Sequence, residues 1–139
     1  MARRTDVPPK PVRWVGGSKA DLREFPEDVR QRVGGALWDA QLGRKAPYAK
    51  PMKGFGGASV LEIVDDFDGD TFRAVYTVRF AMAVYVLHAF QKKSKRGAAT
   101  PKAELDLIEQ RLKRAKEDYE QWSRSEKSIP ARRPGQKSR

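Results

Sequence analysis

The chain has no cysteine, which excludes a disulfide framework, a cysteine-based zinc site and thiol catalysis. Its single histidine, His88, leaves no two-histidine metal motif, and any Ser-His-Asp arrangement would have to use it. Apolar runs are short, and none nears the ~18 residues that a membrane-spanning helix requires. Residues 1–10 carry charges, Pro8 and Pro9, with no apolar core behind them, so they do not read as a secretory signal. The expected address is the cytoplasm, with no membrane partner.

Positive charge is what the chain has in excess. Of 139 residues, 29 are Lys or Arg and 18 are Asp or Glu, a formal net charge of +11 with a pI near 10.1. Such a surplus favours a polyanionic partner: nucleic acid, an acidic protein or an anionic membrane face. Residues 1–90 hold 14 basic and 11 acidic residues, whereas residues 91–139 hold 15 and 7. A polyanion site is therefore expected towards the second segment. Hydrophobic residues at 39% support one compact core. The polar, proline-bearing ends, 1–10 and 124–139, read as disordered basic tails around a single domain at 11–123.

Local patterns predict the order β-α-α-β-β-β-α. Val12–Val15 reads as a short strand closed by Gly16-Gly17. Ser18 and Asp21 resemble a helix cap, and Pro26 separates that helix from a second carrying Val29, Val33, Ala36, Leu37 and Ala40 at helical spacing. Leu61 and Ile63, the turn Asp68-Gly69-Asp70, then Phe72, Ala74 and Tyr76 alternate as a hairpin. Ala83–Phe90 is almost continuously apolar, as suits a strand covered on both faces. Thr100 and Pro101 open a last helix, with Glu104 placed to reach back to its cap. Leu105, Ile108, Leu112, Ala115, Tyr119 and Trp122 form its apolar stripe. The expected fold class is α+β: a small antiparallel sheet packed against helices.

Several clusters are candidates for chemistry. Gln91-Lys92-Lys93-Ser94-Lys95-Arg96-Gly97 reads as a basic loop after a buried strand, either a phosphate contact or a solvated charge run. Arg73 and Arg79 share strand parity with Thr77, either as ordinary surface charges or as guanidinium forks for phosphate. His88 sits among Leu87, Ala89 and Phe90, as a hydrogen-bonded core residue or as a general base. Lys53-Gly54-Phe55-Gly56-Gly57 lacks the closing Lys-Ser/Thr of a phosphate-binding loop but presents Lys53 on a flexible connection. Asp65, Asp66, Asp68 and Asp70 lack calcium-loop spacing and read as a turn. No metal and no cofactor are expected.

The segments Leu61-Glu62-Ile63, Phe72-Arg73-Ala74-Val75-Tyr76, Val86-Leu87-His88-Ala89-Phe90-Gln91-Lys92-Lys93-Ser94 and Thr100-Pro101, with Arg111, resemble the phage-derived HigB-like branch of the RelE/ParE toxin superfamily. The resemblance covers roughly residues 11–120. It implies a RelE-like fold and the toxin of a type II toxin–antitoxin pair, with a small antitoxin, often a helix-turn-helix protein. It further implies a metal-independent endoribonuclease that cuts mRNA on the ribosome, the 2′-hydroxyl attacking the adjacent phosphate. Carried over residue by residue, Arg73 becomes a transition-state clamp. Lys92 and Lys93 become phosphate contacts of the catalytic set, and Lys53 a looser match to it. Arg79, Lys95 and Arg96 would hold RNA. Where many relatives carry an arginine after the first hairpin strand, this chain has Val64-Asp65-Asp66. The alternatives are a ParE-like inhibitor of DNA gyrase without nuclease activity and a non-catalytic RNA-binding protein.

Overall fold

The structure, a computed structural model, describes residues 8–92 and 100–128. Lys93, Lys95 and Arg96 of the basic cluster lie outside the described residues, as do 1–7 of the basic N-terminus and 129–139 of the tail.

The elements are β1 (Val12–Trp14), α1 (Ser18–Arg23), α2 (Glu27–Gln41), β2 (Lys50–Pro51), β3 (Val60–Phe67), β4 (Asp70–Thr77), β5 (Val84–Lys92) and α3 (Lys102–Ser128). They build one five-stranded sheet in the order β1-β5-β4-β3-β2. The β3-β4-β5 meander is antiparallel, as the alternation predicts. β1 joins β5 in parallel, with Val12 opposite Val84, so the sheet is mixed. The α+β class holds, with β2 as an addition: its two residues pair with Glu62 and Leu61.

Helices cover both faces. On one, Leu22 of α1, Phe25 just after it and Val29, Val33, Ala36 and Leu37 of α2 pack on Leu61, Ile63, Phe72, Ala74, Tyr76 and Val86. On the other, Ile108 and Ala115 of α3 pack on Val60, Val75, Tyr85 and Leu87. Enclosure from both sides explains why β4 and β5 are buried nearly throughout.

Local chemistry sets the junctions. Asp68 and Gly69 both adopt positive φ (53° and 85°), the geometry of a two-residue hairpin turn whose twist matches its strands. Ser18 does not cap α1. It is buried within the helix, and its hydroxyl donates to the Val86 carbonyl at 3.2 Å. β1 ends at Trp14, opposite Val86, and the Val86 carbonyl takes both the Val15 N–H and the Ser18 hydroxyl. The ladder between β4 and β5 slips once: Val75 faces His88 but Tyr76 faces Val86, leaving Leu87 as an inserted residue. This bulge turns Leu87 and His88 towards the same side, that of α3. α3 itself continues past residue 123 to Ser128.

Candidate functional site

Cross-strand pairing lays out the α3-side face of the sheet in rows. Glu62, Val75 and His88 form one row, Val64, Arg73 and Phe90 the next, and Asp66, Thr71 and Lys92 the last. Residues opposite one another in a ladder share a face, so this side concentrates polar groups in an otherwise apolar sheet. Arg73 is 8% exposed, and its Nη1 donates to Glu62 Oε2 at 3.3 Å across a diagonal of the β3–β4 ladder. Glu62 keeps 21% of its side chain in solvent, so the pair is reachable from the carboxylate side. Lys92 is buried at the end of β5, opposite Thr71. Gln91 and Lys92 thus belong to the strand and not to a loop, because β4 is long enough to continue the ladder through them.

His88 is buried, and both of its ring nitrogens are engaged. Nε2 lies 3.0 Å from Glu104 Oε1, and Nδ1 lies 3.2 Å from Arg111 Nη1. Arginine can only donate, so Nδ1 accepts and the Nε2–H donates a hydrogen bond to Glu104. Both nitrogens are thus engaged by side chains of α3. Arg111 Nη1 also donates to the Leu87 carbonyl at 3.0 Å. Burial pulls the Arg111 guanidinium below its ordinary pKa, partly offset by the negative charge of Asp21. Glu104 was expected to reach back to the start of α3. It points into the sheet instead, because the bulge brings His88 within hydrogen-bonding distance.

The other predicted cations lie elsewhere. β4 ends at Thr77, so Arg79 does not share a strand face with Arg73. It sits in the following turn, where it donates to Ser59 Oγ and the Phe55 carbonyl at 3.1 and 3.2 Å. Lys53 is exposed in the β2–β3 connection, just past Met52, whose N–H bonds the Val60 carbonyl. Val60 faces Thr77, four residues along β4 from Arg73, which is about 13 Å of strand. Lys53 and Arg79 thus share one end of the sheet face, while Arg73 and Lys92 share the other.

The C-terminal half of α3 is held by a second polar node. Asp118 accepts from Arg13 Nε at 2.8 Å and from the Tyr85 hydroxyl at 2.5 Å. The Arg13 bond holds the Asp118 carboxyl below its ordinary pKa, and burial pushes the Tyr85 phenol above its own. Among the described residues, no three His, Asp or Glu side chains converge as a metal site.

Sequence reasoning missed Glu62, Glu104 and Arg111 as partners. Glu104 and Arg111 stand seven residues apart, two helical turns, on one flank of the α3 stripe, and that spacing was the available signal. Nothing in the sequence signalled the diagonal between Glu62 and Arg73.

Architecture and site together define a mixed-sheet α+β protein with a partly polar sheet face, carrying charges of both signs, beneath its last helix. The chain belongs to the family described as phage derived protein Gp49-like (DUF891), which it matches over residues 20–113. No curated protein matches it. Among solved structures it is similar to a free-state mutant of the E. coli toxin RelE, at 16% identity and a TM-score of 0.48, covering 76% of this chain and 97% of that one. It is also similar to a chain of the toxin–antitoxin complex RelBE2 from Mycobacterium tuberculosis, at 19% identity and a TM-score of 0.40, covering 63% and 97%. Among the described residues no helix is long and apolar enough to cross a membrane.

Proposed function

We propose that this protein is the toxin of a type II toxin–antitoxin pair of the HigB-like kind, a cytoplasmic endoribonuclease that cuts mRNA on the ribosome. The observation that carries the reading is the Glu62–Arg73 pair, a carboxylate beside a guanidinium on the face of a strongly basic protein. An incoming phosphodiester competes with Glu62 for the Arg73 fork, and the carboxylate it releases serves as the base. Glu62 takes the proton of the ribose 2′-hydroxyl, whose oxygen then bonds to the adjacent phosphorus. The bond from phosphorus to the 5′ oxygen breaks, and that oxygen takes a proton from water. The products are a cyclic phosphate and a 5′-hydroxyl. Arg73 stabilises the extra negative charge at phosphorus, and Lys92 and Lys93 hold the backbone. A small antitoxin, of helix-turn-helix type and with an acidic segment suited to the +11 chain, is the partner that restrains it.

Primer extension on cellular mRNA after induction tests this. Codon-phased 5′ ends support the nuclease, whereas DNA breaks with intact mRNA would replace it with gyrase inhibition.

A further inference from the structure

At the Lys53 end of the sheet face lies a cleft of about 330 Å³ between the β2–β3 connection, the β4–β5 turn and α3. Its floor is apolar: Phe55, Phe80 and Leu112. Phe80 is fixed from behind by stacking on Tyr119 at 4.8 Å between centroids. Its rim is cationic, with Arg79, Lys113 and Lys116. Arg79 is held by Ser59 and the Phe55 carbonyl, and no carboxylate pairs with it or with Lys53, Lys113 or Lys116 among the described residues. These charges are therefore available to a ligand. One acid, Glu109, also lines the cleft and offers an acceptor.

We infer that this cleft is a nucleobase pocket for single-stranded RNA, separate from the Glu62–Arg73 pair and on the same face of the sheet. The aromatic rings of this apolar floor suit the π-face of a base, and the cations of the rim suit its flanking phosphates. The volume suits one nucleotide. An acidic peptide would share the attraction to the rim, but it would bring its carboxylates against Glu109, whereas a base amine or a ribose hydroxyl donates to it. The two sites stand a few nucleotides apart, so one strand engages both. This inference rests on the RNA-cleaving reading and adds to it the place where a base outside the scissile step is held.

The test uses the full-length protein and fluorescence anisotropy with two labelled probes: a short oligoadenylate and an abasic ribose-phosphate oligomer of equal length and charge. The protein should prefer the base-bearing probe by about 5- to 150-fold, the usual range for one stacked base. Phe55→Ala, checked by melting, should lose that preference yet keep its salt dependence, and Phe55→Leu should lose less. Lys113→Glu should weaken both probes and lower the salt slope. Equal binding of the two probes by the unaltered protein would overturn the inference. So would a folded Phe55→Ala protein that keeps the preference, or Phe55-dependent displacement by a synthetic Glu/Leu peptide with no base preference. Base preference without mRNA cleavage on induction would sink the nuclease reading and leave the pocket standing. Cleavage without base preference would do the reverse.

Discussion

Replacing Arg73 with alanine separates a structural role from a chemical one. The side chain is 9% exposed in its cross-strand row between Val64 and Phe90. Truncation removes buried methylene groups worth roughly 0.8 kcal/mol each. It also leaves Glu62 without this cation, which for a fully buried pair costs about 3–5 kcal/mol. Because a fifth of the Glu62 side chain is in solvent, the combined loss should be near the low end, about 3 kcal/mol. For a domain of this size that is a fall of roughly 10 °C in Tm. The chemical step should lose a comparable amount, about 10²–10³-fold, as when one transition-state donor is removed. Single-turnover cleavage on programmed ribosomes at 25 °C, beside melting curves, reads both quantities. Glu62→Gln supplies the control: it keeps the shape and a hydrogen bond, so stability should fall by only about 1 kcal/mol while the base is lost. A folded Arg73→Ala protein cleaving at the unaltered rate would remove Arg73 from the chemistry. Rates in both variants that merely track the folded fraction would make the pair structural only.

Other substitutions probe the scaffold. The Tyr76 hydroxyl is buried with no hydrogen-bond partner among the described residues, so Tyr76→Phe should stabilise by about 1 kcal/mol, read as a rise in Tm. Burial pushes the Tyr76 phenol up to about 12 and raises Tyr85 as well, so both stay protonated in the fold where the unfolded chain would ionise. Their contribution is present below the ordinary phenol pKa of roughly 10 and is lost as the pH rises beyond it. Tyr76→Phe should therefore also lessen alkaline unfolding, and a steeper alkaline limb would count against this. Asp118 behaves oppositely: its folded pKa is depressed, so its contribution exists above about pH 4 and disappears as the pH falls through the folded value. Asp118→Asn should flatten the acid limb of a pH–stability curve, and an unchanged limb would refute the assignment. Gly34 is exposed within α2, and a Cβ there meets nothing within 4 Å, so Gly34→Ala should add about 0.4–1 kcal/mol by thermal melting. At Gly35 a Cβ would meet the Tyr48 hydroxyl at 3.3 Å, and the same change should gain less.

What could be read from the sequence was periodic. The stripe from Leu105 to Trp122 repeats often enough to declare α3, and Asp68-Gly69 between alternating runs declares the β3–β4 hairpin. β2 was not legible, since two residues, one of them proline, carry no period. The site was harder for a related reason. Which side of β5 His88 faces depends on the insertion at Leu87, and a continuously apolar run conceals a bulge because either parity looks buried. Arg73 and Arg79 look equivalent by spacing, but β4 ends between them and gives one to the sheet and the other to a turn. The cation Arg73 was visible. Its carboxylate partner was not, because a diagonal contact exists only once two strands have chosen a register.

The parallel seam between β1 and β5 bears on how the chain is made. Arg13 pairs with Tyr85, 72 residues later, and bonds Asp118, 105 residues later. At roughly 5–20 residues per second of synthesis, β1 waits several seconds for its neighbour and longer for the helix that clamps it. Through that interval the β3–β4 hairpin can close on local contacts, while Val12 and Trp14 remain on an unpaired strand. Arg13 within it and Lys10 and Lys19 on either side give this waiting segment the charge that discourages it from pairing with other nascent chains. Assembly of the sheet is thus finished from its first strand. The beginning of the chain is among the last parts to find its place.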